Sequence, residues 1–400
     1  MTFETQNLEL DTQNFSFHWC LDPQINFLNH GSYGACLRPV LEQQQAYRTR
    51  LEQEPVRFLG LELEALLDAA RQELAAFVGA NSDQLVFVPN ATTGVNTVLR
   101  SLSFRPGDEL LTTNHEYNAS CNALKFTAAQ TGATVVIAEI PFPLESIEQI
   151  TEAVLSRVSE RTKLVLLDHI TSQTALIFPI RQLIQQLTVQ GIEVLIDGAH
   201  APGMVPLNLQ ELGVAYYTGN CHKWLCAPKG AAFLYVRQDK QDGIRPLVIS
   251  HGANSPRTDR SRFHLEFDWV GTADPTAYLC VPTAIQCLSA MLPGGWPALI
   301  SRNRAMTLSV RQLLCQQLQV ALPCPDELIG SMATIPLPAG SATAASWQTA
   351  LFERFMIEIP VIPWRNERLI RISVQLYNNL ADYERLVEAL KILHAEEQRF

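Results

Sequence analysis

The sequence predicts an α/β protein in which a mainly parallel sheet is covered by helices and is followed by a smaller α+β domain. From about residue 80 to 240, short runs rich in Val, Ile and Leu alternate with longer stretches that have helical spacing. The short runs lack a strict apolar–polar alternation, which is typical of strands buried on both faces. With 400 residues, the chain also exceeds what one hydrophobic core usually holds. We therefore expect one large domain and one small domain.

The elements of the large domain follow from these runs. We predict strands at Leu85–Val88, Leu110–Thr113, Thr134–Ile137, Leu164–Leu167, Val194–Ile196, Ala215–Thr218 and Ala231–Val236. We predict helices at Pro39–Glu54, Glu62–Gly79, Asn118–Thr131, Glu145–Val158 and Ile180–Gln190. Strands that alternate with helices in this way are typical of a mainly parallel sheet.

The C-terminal part has a different pattern. Gly252–Asp274 is polar and irregular, so we predict a connecting loop region there. Beyond it we predict helices Pro275–Leu292 and Trp296–Leu318, strands Ser331–Pro336, Phe355–Ile362 and Leu369–Val374, and a closing helix Asp382–Gln398. We expect a large domain over residues 25–275 and a small domain over residues 276–400, with residues 1–24 packed on the small domain.

Charge and cysteine content narrow the class of protein. The formal net charge of -10 argues against nucleic acid or an anionic membrane as the main partner, although it leaves small anionic ligands open. The nine cysteines show no CxxC pair, so we expect reduced thiols and no zinc or other metal site. The N-terminus lacks the features of a signal peptide, and no apolar run approaches the ~20 residues of a membrane span. We expect a cytoplasmic protein.

Ligands of parallel sheets gather at the carboxyl ends of the strands, and several chemically distinctive residues lie there. Asp197 follows one predicted strand, and it either pairs with a protonated ring nitrogen or caps a turn. Lys223 lies before an apolar stretch, where it is either a nucleophile with a lowered pKa or a surface lysine packed along Trp224.

Two further strand ends carry weaker signals. The turn Ala91-Thr92-Thr93-Gly94 opens a helix, where it forms either a phosphate cradle or an ordinary cap. His115 either lies against a flat ligand or is a hydrogen-bonded structural histidine. Together, an amine, an acid, a turn rich in N–H dipoles and a flat side chain are what an aldehyde cofactor with a phosphate requires.

Longer motifs make the comparison specific. The segments Asp197–Gly203 and Tyr216–Trp224 resemble the class V aminotransferase family of fold-type I enzymes, which use pyridoxal 5'-phosphate (PLP). Phe27–Gly34, Glu54–Phe58, Phe267–Thr272 and Arg371–Asn378 agree, so the resemblance spans roughly residues 25 to 390. Within the family, the chain is most similar to the isopenicillin N epimerase-like branch, which also contains cysteine/cystine C–S lyases. The resemblance implies the fold-type I architecture, an amino-acid substrate and a PLP cofactor.

The resemblance also implies roles for individual residues. Lys223 would carry PLP as a Schiff base and move the Cα proton, and Asp197 would keep the pyridine nitrogen protonated. Arg371 would bind the substrate carboxylate as a bidentate fork. The other implied cofactor contacts are His200 at the phenolic oxygen, His115 stacked on the ring, and Ala91, Thr92, Thr93, Asn220 and His222 at the phosphate. The remaining implied contacts are Asn29 and Gly31 at the substrate, and Thr272 at the phosphate of the neighbouring subunit in a homodimer with shared active sites.

Some features depart from the family or leave alternatives open. Many relatives have Gln in place of His200, and a histidine can also donate to the phenolic oxygen. Residues 357–365 contain no cysteine, which disfavours a desulfurase that stores persulfide there. Epimerisation is the first interpretation, with C–S lyase and then aminotransferase as alternatives. A non-catalytic module is disfavoured because Lys223 and Asp197 are both present.

Two groups of residues have open assignments. A second acid or base opposite Lys223 could be Tyr33 or Tyr217. A second substrate carboxylate could be bound by an arginine, or these arginines could be surface or interface residues: Arg57, Arg262 and Arg365.

Overall fold

The computed structural model describes residues 15–398. Its strands are β1 (Asn26–Phe27), β2 (Leu85–Val88), β3 (Glu109–Thr113), β4 (Thr134–Ala138), β5 (Thr162–Asp168), β6 (Glu193–Asp197), β7 (Tyr216–Asn220), β8 (Ala232–Val236), β9 (Met332–Pro336), β10 (Ile357–Glu358), β11 (Val361–Trp364) and β12 (Glu367–Ser373).

The helices lie between and around these strands. They are α1 (His30–Tyr33), α2 (Arg38–Gln53), α3 (Pro55–Arg57), α4 (Leu63–Val78), α5 (Ala91–Ser101), α6 (Asn118–Thr131), α7 (Glu148–Leu155), α8 (Ile180–Val189), α9 (Leu209–Leu212), α10 (Arg262–Phe267), α11 (Thr276–Leu279), α12 (Val281–Ala290), α13 (Gly295–Leu318), α14 (Ala344–Phe355) and α15 (Leu380–Glu397).

The large sheet confirms the predicted architecture. Its strand order is β2-β8-β7-β6-β5-β3-β4, and β8 runs antiparallel to both of its neighbours while the other pairs are parallel. Every residue of β2, β3, β7 and β8 is buried, because helices cover both faces. This burial explains the continuous apolar runs of the sequence.

The parallel strands bring their carboxyl ends to one edge of the sheet. Asp168 at the end of β5 lies opposite Asp197 at the end of β6. Asp197 in turn lies opposite Thr218 of β7, which leads into the turn carrying Lys223. The fold thus gathers two of the segments that the sequence singled out, those of Asp197 and Lys223, as expected for a ligand site in an open α/β sheet.

The C-terminal part contains a three-stranded antiparallel sheet in the order β11-β12-β9. The predicted single strand Phe355–Ile362 is wrong, because its two halves pair with different partners. Ile357–Glu358 pairs with β1 near the N-terminus, and Val361–Trp364 pairs with β12. Pro360 lies between the two halves and has no N–H for a ladder, although its carbonyl accepts a hydrogen bond from the Arg371 N–H.

The predicted loop Gly252–Asp274 contains the helix α10. Ser261 caps this helix by accepting a hydrogen bond from the His264 N–H at 3.1 Å. Phe263 and Phe267 are buried, which ties the helix to the core. Because the surrounding residues are polar, the sequence pattern does not reveal this short amphipathic helix. Similarly, the predicted helix Pro275–Leu292 is divided into α11 and α12.

The described part of the N-terminal segment contacts residues of the C-terminal part. The Arg302 guanidinium lies 5.9 Å from the centre of the Phe15 ring, and the rings of Trp19 and Tyr377 are 5.1 Å apart. Residues 1–14 of the predicted packing segment lie outside the described residues, and the domain boundary at 275 stays a prediction. Among the described residues, no single helix is long and apolar enough to cross a membrane. One pair of consecutive helices, bent by 71°, reaches the required length and apolar composition only when the two are taken together.

Candidate active site

A cavity of about 360 Å³ lies at the carboxyl edge of the large sheet, and we call it the lysine cavity. It is lined by Ser32, Tyr33, Pro89, Asn90, Ala91, Thr92, Tyr117, Asp168, Ser172, Asp197, Ala199, His200, Asn220, His222, Lys223 and Gly230. Its size is within the range of small-molecule sites, which is about 300–1,000 Å³. Most of these residues end or follow β2, β3, β5, β6 and β7, while Ser32 and Tyr33 belong to α1 and Gly230 precedes β8.

Lys223 is the nucleophile that this cavity offers. Its Nζ lies 3.0 Å from Nε2 of His200. Burial lowers the pKa of the Lys223 amine to about 7, and the positive charge of Arg371 lowers it further, while Asp197 and Asp168 oppose the shift. A large fraction of this amine is therefore neutral near pH 7 and able to attack a carbonyl carbon.

His30 and Gly34, at the two ends of α1, hold the turn that carries Lys223. Nε2 of His30 lies 3.0 Å from the carbonyl oxygen of Lys223, and its Nδ1 lies 2.9 Å from the Tyr377 hydroxyl. Gly34 has a φ of 69°, and a Cβ at this position would lie 2.0 Å from the His222 carbonyl oxygen. Only glycine permits this close approach of the two backbones.

The floor of the cavity is acidic. Asp197 is 1% exposed, and its carboxylate accepts hydrogen bonds from the Ser120 hydroxyl at 2.8 Å and the Ala199 N–H at 3.1 Å. Oxygen atoms of Glu116, Asp168 and Asp197 lie within 4.8 Å of one another. Burial raises the pKa of all three carboxyl groups, and mutual repulsion raises those of Glu116 and Asp168 further. Three carboxylates this close cannot all be ionised, so the floor can hold protons as well as charge.

The N-terminal turn of α5 lies beside the acidic floor. The Asn90 side chain accepts a hydrogen bond from the Thr93 N–H, and the Asn220 side chain accepts one from the Ala91 N–H, both at 2.8 Å. His222 has Nδ1 3.0 Å from the Ala231 carbonyl oxygen, and burial lowers its pKa to about 4. Together with the helix dipole, this turn favours an anion such as phosphate.

Arg371 lies behind the opposite wall. Its guanidinium donates to the Ser172 carbonyl oxygen at 2.5 Å, the Ser32 hydroxyl at 3.0 Å and Oδ1 of Asn29 at 3.5 Å. A Cβ at Gly31 would lie 3.5 Å from Nη2 of Arg371. Arg371 is 4% exposed and forms no ion pair within residues 15–398, and burial lowers its pKa to about 10. A buried cation without a counter-ion fits an anionic ligand such as a substrate carboxylate.

His115 does not reach the lysine cavity. Its ring is fully buried, with Nδ1 2.7 Å from the Thr174 hydroxyl and Nε2 3.2 Å from the Ile140 carbonyl oxygen. The geometry therefore favours the structural alternative for His115 over the predicted stacking on a ligand. Tyr117, two residues later, lines the cavity and is 44% exposed.

Thr93 and Thr272 also lie away from the lysine cavity. The Thr93 hydroxyl donates to Oδ1 of Asn90 at 3.0 Å, and the Thr93 residue lines a neighbouring cavity. Thr272 is exposed, and its neighbours Gly271 and Ala273 line that second cavity. Contact of Thr272 with another subunit stays a prediction.

The two tyrosines considered as a second acid or base lie in different places. Tyr33 lines the lysine cavity and is 76% exposed, whereas the Tyr217 hydroxyl is buried at 2.9 Å from Nδ1 of His169. The three arginines proposed for a second carboxylate do not line the cavity, and each pairs with a carboxylate of the chain: Arg57 with Glu62, Arg262 with Glu266, and Arg365 with Glu139.

Sequence reasoning missed Asp168, Glu116 and Tyr117. Asp168 ends a predicted strand in the same way as Asp197, so the same signal could have identified it. Glu116 and Tyr117 belong to the segment after β3, where the sequence pattern favours His115 as the ligand contact. Which of these adjacent side chains faces the cavity depends on packing with distant segments.

The geometry fits PLP. The reactive lysine, the buried aspartate, the N-terminal turn of α5 and the unpaired buried arginine could hold its aldehyde, ring nitrogen and phosphate, and the carboxylate of an amino acid. The fold and the site thus define a PLP-dependent enzyme. The sequence model described as aminotransferase class-V matches residues 34–267, and the chain belongs to the class V aminotransferase family.

Curated relatives match over nearly the whole chain. The chain is 34% identical to an isopenicillin N epimerase of Amycolatopsis lactamdurans, covering 93% of this chain and 96% of the relative. It is 29% identical to a probable chloroplastic L-cysteine desulfhydrase of Arabidopsis thaliana, covering 94% and 84% of the two chains.

Solved structures share the fold. A cystine C–S lyase in complex with its reaction product cysteine persulfide has a TM-score of 0.78 at 22% identity, covering 92% of this chain and 97% of the other. A cysteine desulfurase from Escherichia coli has a TM-score of 0.77 at 19% identity, covering 96% and 98%. At these identities the similarity shows the fold alone.

Proposed function

We propose that this protein is a PLP-dependent enzyme that removes the Cα proton of an amino acid and returns a proton to the opposite face, as an epimerase. The observation that carries the proposal is the placement of Lys223, whose Nζ reaches the cavity next to His200 and above the acidic floor. The 34% identity to an isopenicillin N epimerase supports epimerisation as the reaction.

Seven of the residues that line the cavity have a role in this proposal. Lys223 holds the cofactor aldehyde and, once displaced by the substrate amine, accepts the Cα proton at Nζ. Asp197 would keep the ring nitrogen protonated, and His200 would donate a hydrogen bond to the phenolic oxygen. The phosphate is held by Ala91, Thr92, Asn220 and His222. When bound, PLP withdraws electron density from Cα and so acidifies its proton.

Two assignments change in light of the geometry. We assign the stacking position to Tyr117, because it lines the cavity and His115 does not. For Thr93, we replace the predicted side-chain contact with the phosphate by a structural role. Its N–H and its hydroxyl both donate to Asn90, the residue that caps α5.

The substrate carboxylate is assigned to Arg371. Binding an α-carboxylate would supply the negative charge that this buried guanidinium lacks among the described residues. Asn29 supports the position of Arg371 by accepting a hydrogen bond from its guanidinium, while the absence of a side chain at Gly31 leaves room for the sulfur of Met332.

Epimerisation needs an acid on the side of Cα opposite Lys223. Tyr33 is the better candidate of the two tyrosines, because it lines the cavity and Tyr217 is buried elsewhere. A C–S lyase needs no such acid, and the similarity to an L-cysteine desulfhydrase keeps that reaction as the second candidate. Aminotransferase is the third. None of the residues that line the lysine cavity is a cysteine, which further disfavours persulfide storage in this site.

A panel of substrates tests the proposal. Purified holoenzyme is incubated with isopenicillin N, L-amino acids, cysteine and cystine, and Lys223→Ala serves as the inactive control. Inversion at Cα of a substrate, without keto acid or sulfide, is the expected result. Pyruvate with sulfide would establish the lyase instead, and stoichiometric keto acid would establish an aminotransferase.

The assembly is proposed to be a homodimer with shared active sites. A second cavity of about 270 Å³ adjoins the first, and we call it the apolar cavity. It is lined by Leu63, Leu67, Phe87, Val88, Pro89, Thr93, Pro246, Leu247, Val248, Phe267, Asp268, Trp269, Val270, Gly271, Ala273, Asp274, Pro275 and Tyr278. Leu247, Val248 and Val270 are 41%, 56% and 40% exposed, as apolar interface residues are in a separated subunit.

A cytoplasmic location is also proposed. Its support is that all nine cysteines, which lie within the described residues, are free thiols. Reduced thiols are typical of cytosolic proteins.

A further inference from the structure

His200 forms two side-chain contacts of different kinds. Nε1 of Trp224 lies 3.4 Å from Nδ1 of His200, and Nε2 of His200 lies 3.0 Å from Nζ of Lys223. Trp224 is 1% exposed and His200 is 2% exposed, so water does not compete for the contact between these two side chains. The three side chains form a short chain of hydrogen bonds that ends at the reactive amine.

The chemistry of these groups fixes the direction of the hydrogen bonds. An indole N–H is only a donor, so Nδ1 of His200 must accept. Burial lowers the pKa of His200 well below its usual value, which keeps the ring neutral with one N–H. That hydrogen therefore lies on Nε2, and it points toward Lys223. The Lys223 amine can accept it only as a neutral group with a free lone pair.

We propose that Trp224 is a positioning residue that fixes the Nε2–H tautomer of His200. In this tautomer His200 favours the unprotonated form of Lys223 before the cofactor is attached. Resting on the proposed function, the same N–H donates to the phenolic oxygen of PLP afterwards. Trp224 does not line the lysine cavity, so it acts through His200.

The other charged and titratable groups around this chain do not supply the same constraint. Burial and the positive charge of Arg371 lower the pKa of His200, and the neighbouring His222 and His30 act in the same direction, but none of these effects selects a tautomer. His30 packs against Trp224 with ring centres 4.8 Å apart, yet its own nitrogens contact Tyr377 and the Lys223 backbone. Asp197 and Asp168 favour a protonated Lys223 and thus oppose the effect.

Without the indole N–H of Trp224, His200 is no longer restricted to the Nε2–H tautomer. With Trp224→Phe, the His200 proton can move to Nδ1, and the lone pair of Nε2 then faces Lys223 and stabilises its ammonium form. Capture of free PLP by the apoenzyme at pH 7 should slow by roughly threefold to tenfold. In the holoenzyme, a phenolate that loses its donor is less stable, so the Schiff-base nitrogen holds its proton to higher pH. The midpoint of the visible-band titration should rise by about one pH unit.

A double-mutant cycle separates this role from packing. The variants are Trp224→Phe, His200→Gln and the two combined, each purified as holoenzyme and titrated through its visible absorption band. A glutamine amide always has an N–H to donate, so it has no tautomer to lose. The midpoint shift caused by Trp224→Phe should therefore vanish in the His200→Gln background. An equal shift in both backgrounds would mean that Trp224 acts by packing, and no shift in either would also overturn the proposal.

A direct measurement needs no variant. Nitrogen NMR of isotope-labelled histidine in the wild-type protein should show His200 protonated on Nε2, with His200→Gln used to assign its signals. Protonation on Nδ1 would overturn the proposal even if Trp224→Phe does not fold. The protonation site of His200 measured in this way does not depend on which lysine carries PLP. Borohydride fixation of the cofactor on another lysine would contradict the proposed function and leave the tautomer result standing.

Discussion

The lysine cavity and the apolar cavity meet at the first turn of α5 but have opposite chemistry. Pro89 lines both cavities, Thr92 lines the first, and Thr93 lines the second. The lysine cavity contains an amine, buried carboxyl groups and two histidines. Among residues 15–398, the only charged groups that line the apolar cavity are two carboxylates, those of Asp268 and Asp274. Asp268 forms an ion pair with Arg260.

This contrast indicates different partners for the two sides of one helix turn. No residue that lines the lysine cavity forms an ion pair within residues 15–398, which points to a small polar ligand. Exposed apolar side chains border the apolar cavity, which points to another protein surface. A homodimer built on the second cavity would bring the subunit boundary next to the phosphate turn of the first. The predictions below test each side of this contrast.

The largest effect is expected at Lys223. Lys223→Ala should abolish turnover while phosphate contacts retain part of the PLP, because no other side chain in the cavity is an amine. Borohydride reduction of the wild-type protein should fix the cofactor to Lys223, as read by peptide mapping. Lys125→Ala changes an exposed lysine on α6 and should retain activity. A label on Lys229, six residues later, would remove the site assignment.

The next effect concerns the acidic floor. Asp197→Asn should still bind PLP but should lose roughly 100- to 1,000-fold in turnover, since an amide cannot keep the ring nitrogen protonated. Ser120→Ala removes only one hydrogen bond to Asp197 and should cost far less. Steady-state rates with saturating PLP distinguish the two variants. Near-normal turnover of Asp197→Asn would leave Asp197 as a turn cap, the alternative that its sequence position allows.

Much of this site could be predicted because its residues follow strands directly. Asp197 and Lys223 are identified by a buried strand and a short turn, which are local features of the sequence. Arg371 comes from the far end of the chain, and only the family motif connected it with the site. The large sheet was predicted for the same reason, since strands buried on both faces leave continuous apolar runs.

Where the structure differs from the sequence expectation, the physical cause is contact with distant segments. His115 is held by Thr174 and by the Ile140 carbonyl, and neither partner is visible in the local pattern. Ile357–Glu358 joins β1, more than 300 residues earlier in the chain, so a local reading could not separate it from Val361–Trp364. In both cases tertiary pairing decided between alternatives that local sequence leaves equal.

On the apolar side, Val270→Asp should break the homodimer. A carboxylate buried in an apolar interface should raise the dimer dissociation constant at least about 100-fold, equal to about 3 kcal/mol. Val189→Asp is the matched control, because Val189 is 88% exposed at the end of α8. Light scattering at low micromolar concentration measures both. A fully active wild-type monomer with complete PLP occupancy would rule out shared active sites.

The pH dependence of cofactor capture tests the electrostatics of the lysine cavity. The pKa of Lys223 is lowered to about 7, so the amine is protonated and unreactive below that pH and neutral above it. The rate of PLP capture by the apoenzyme should fall about tenfold per pH unit below the midpoint and level off above it. Asp197→Asn removes a charge that raises this pKa, so its midpoint should move to lower pH. A midpoint near that of a free lysine would contradict the burial of the amine.

The smallest effect separates two residues of one turn. Tyr117→Leu should weaken PLP binding roughly threefold to tenfold, because a stacked aromatic contributes about 0.5–1.5 kcal/mol beyond its buried area. His115→Phe should leave PLP affinity unchanged, and it should lower the free energy of unfolding by about 1–3 kcal/mol, because the Ile140 carbonyl and the Thr174 hydroxyl lose a buried partner. Fluorescence titration with PLP and thermal unfolding measure the two quantities. If His115→Phe weakens PLP binding and Tyr117→Leu does not, the stacking residue is His115, and the ring must move into the cavity when the cofactor binds.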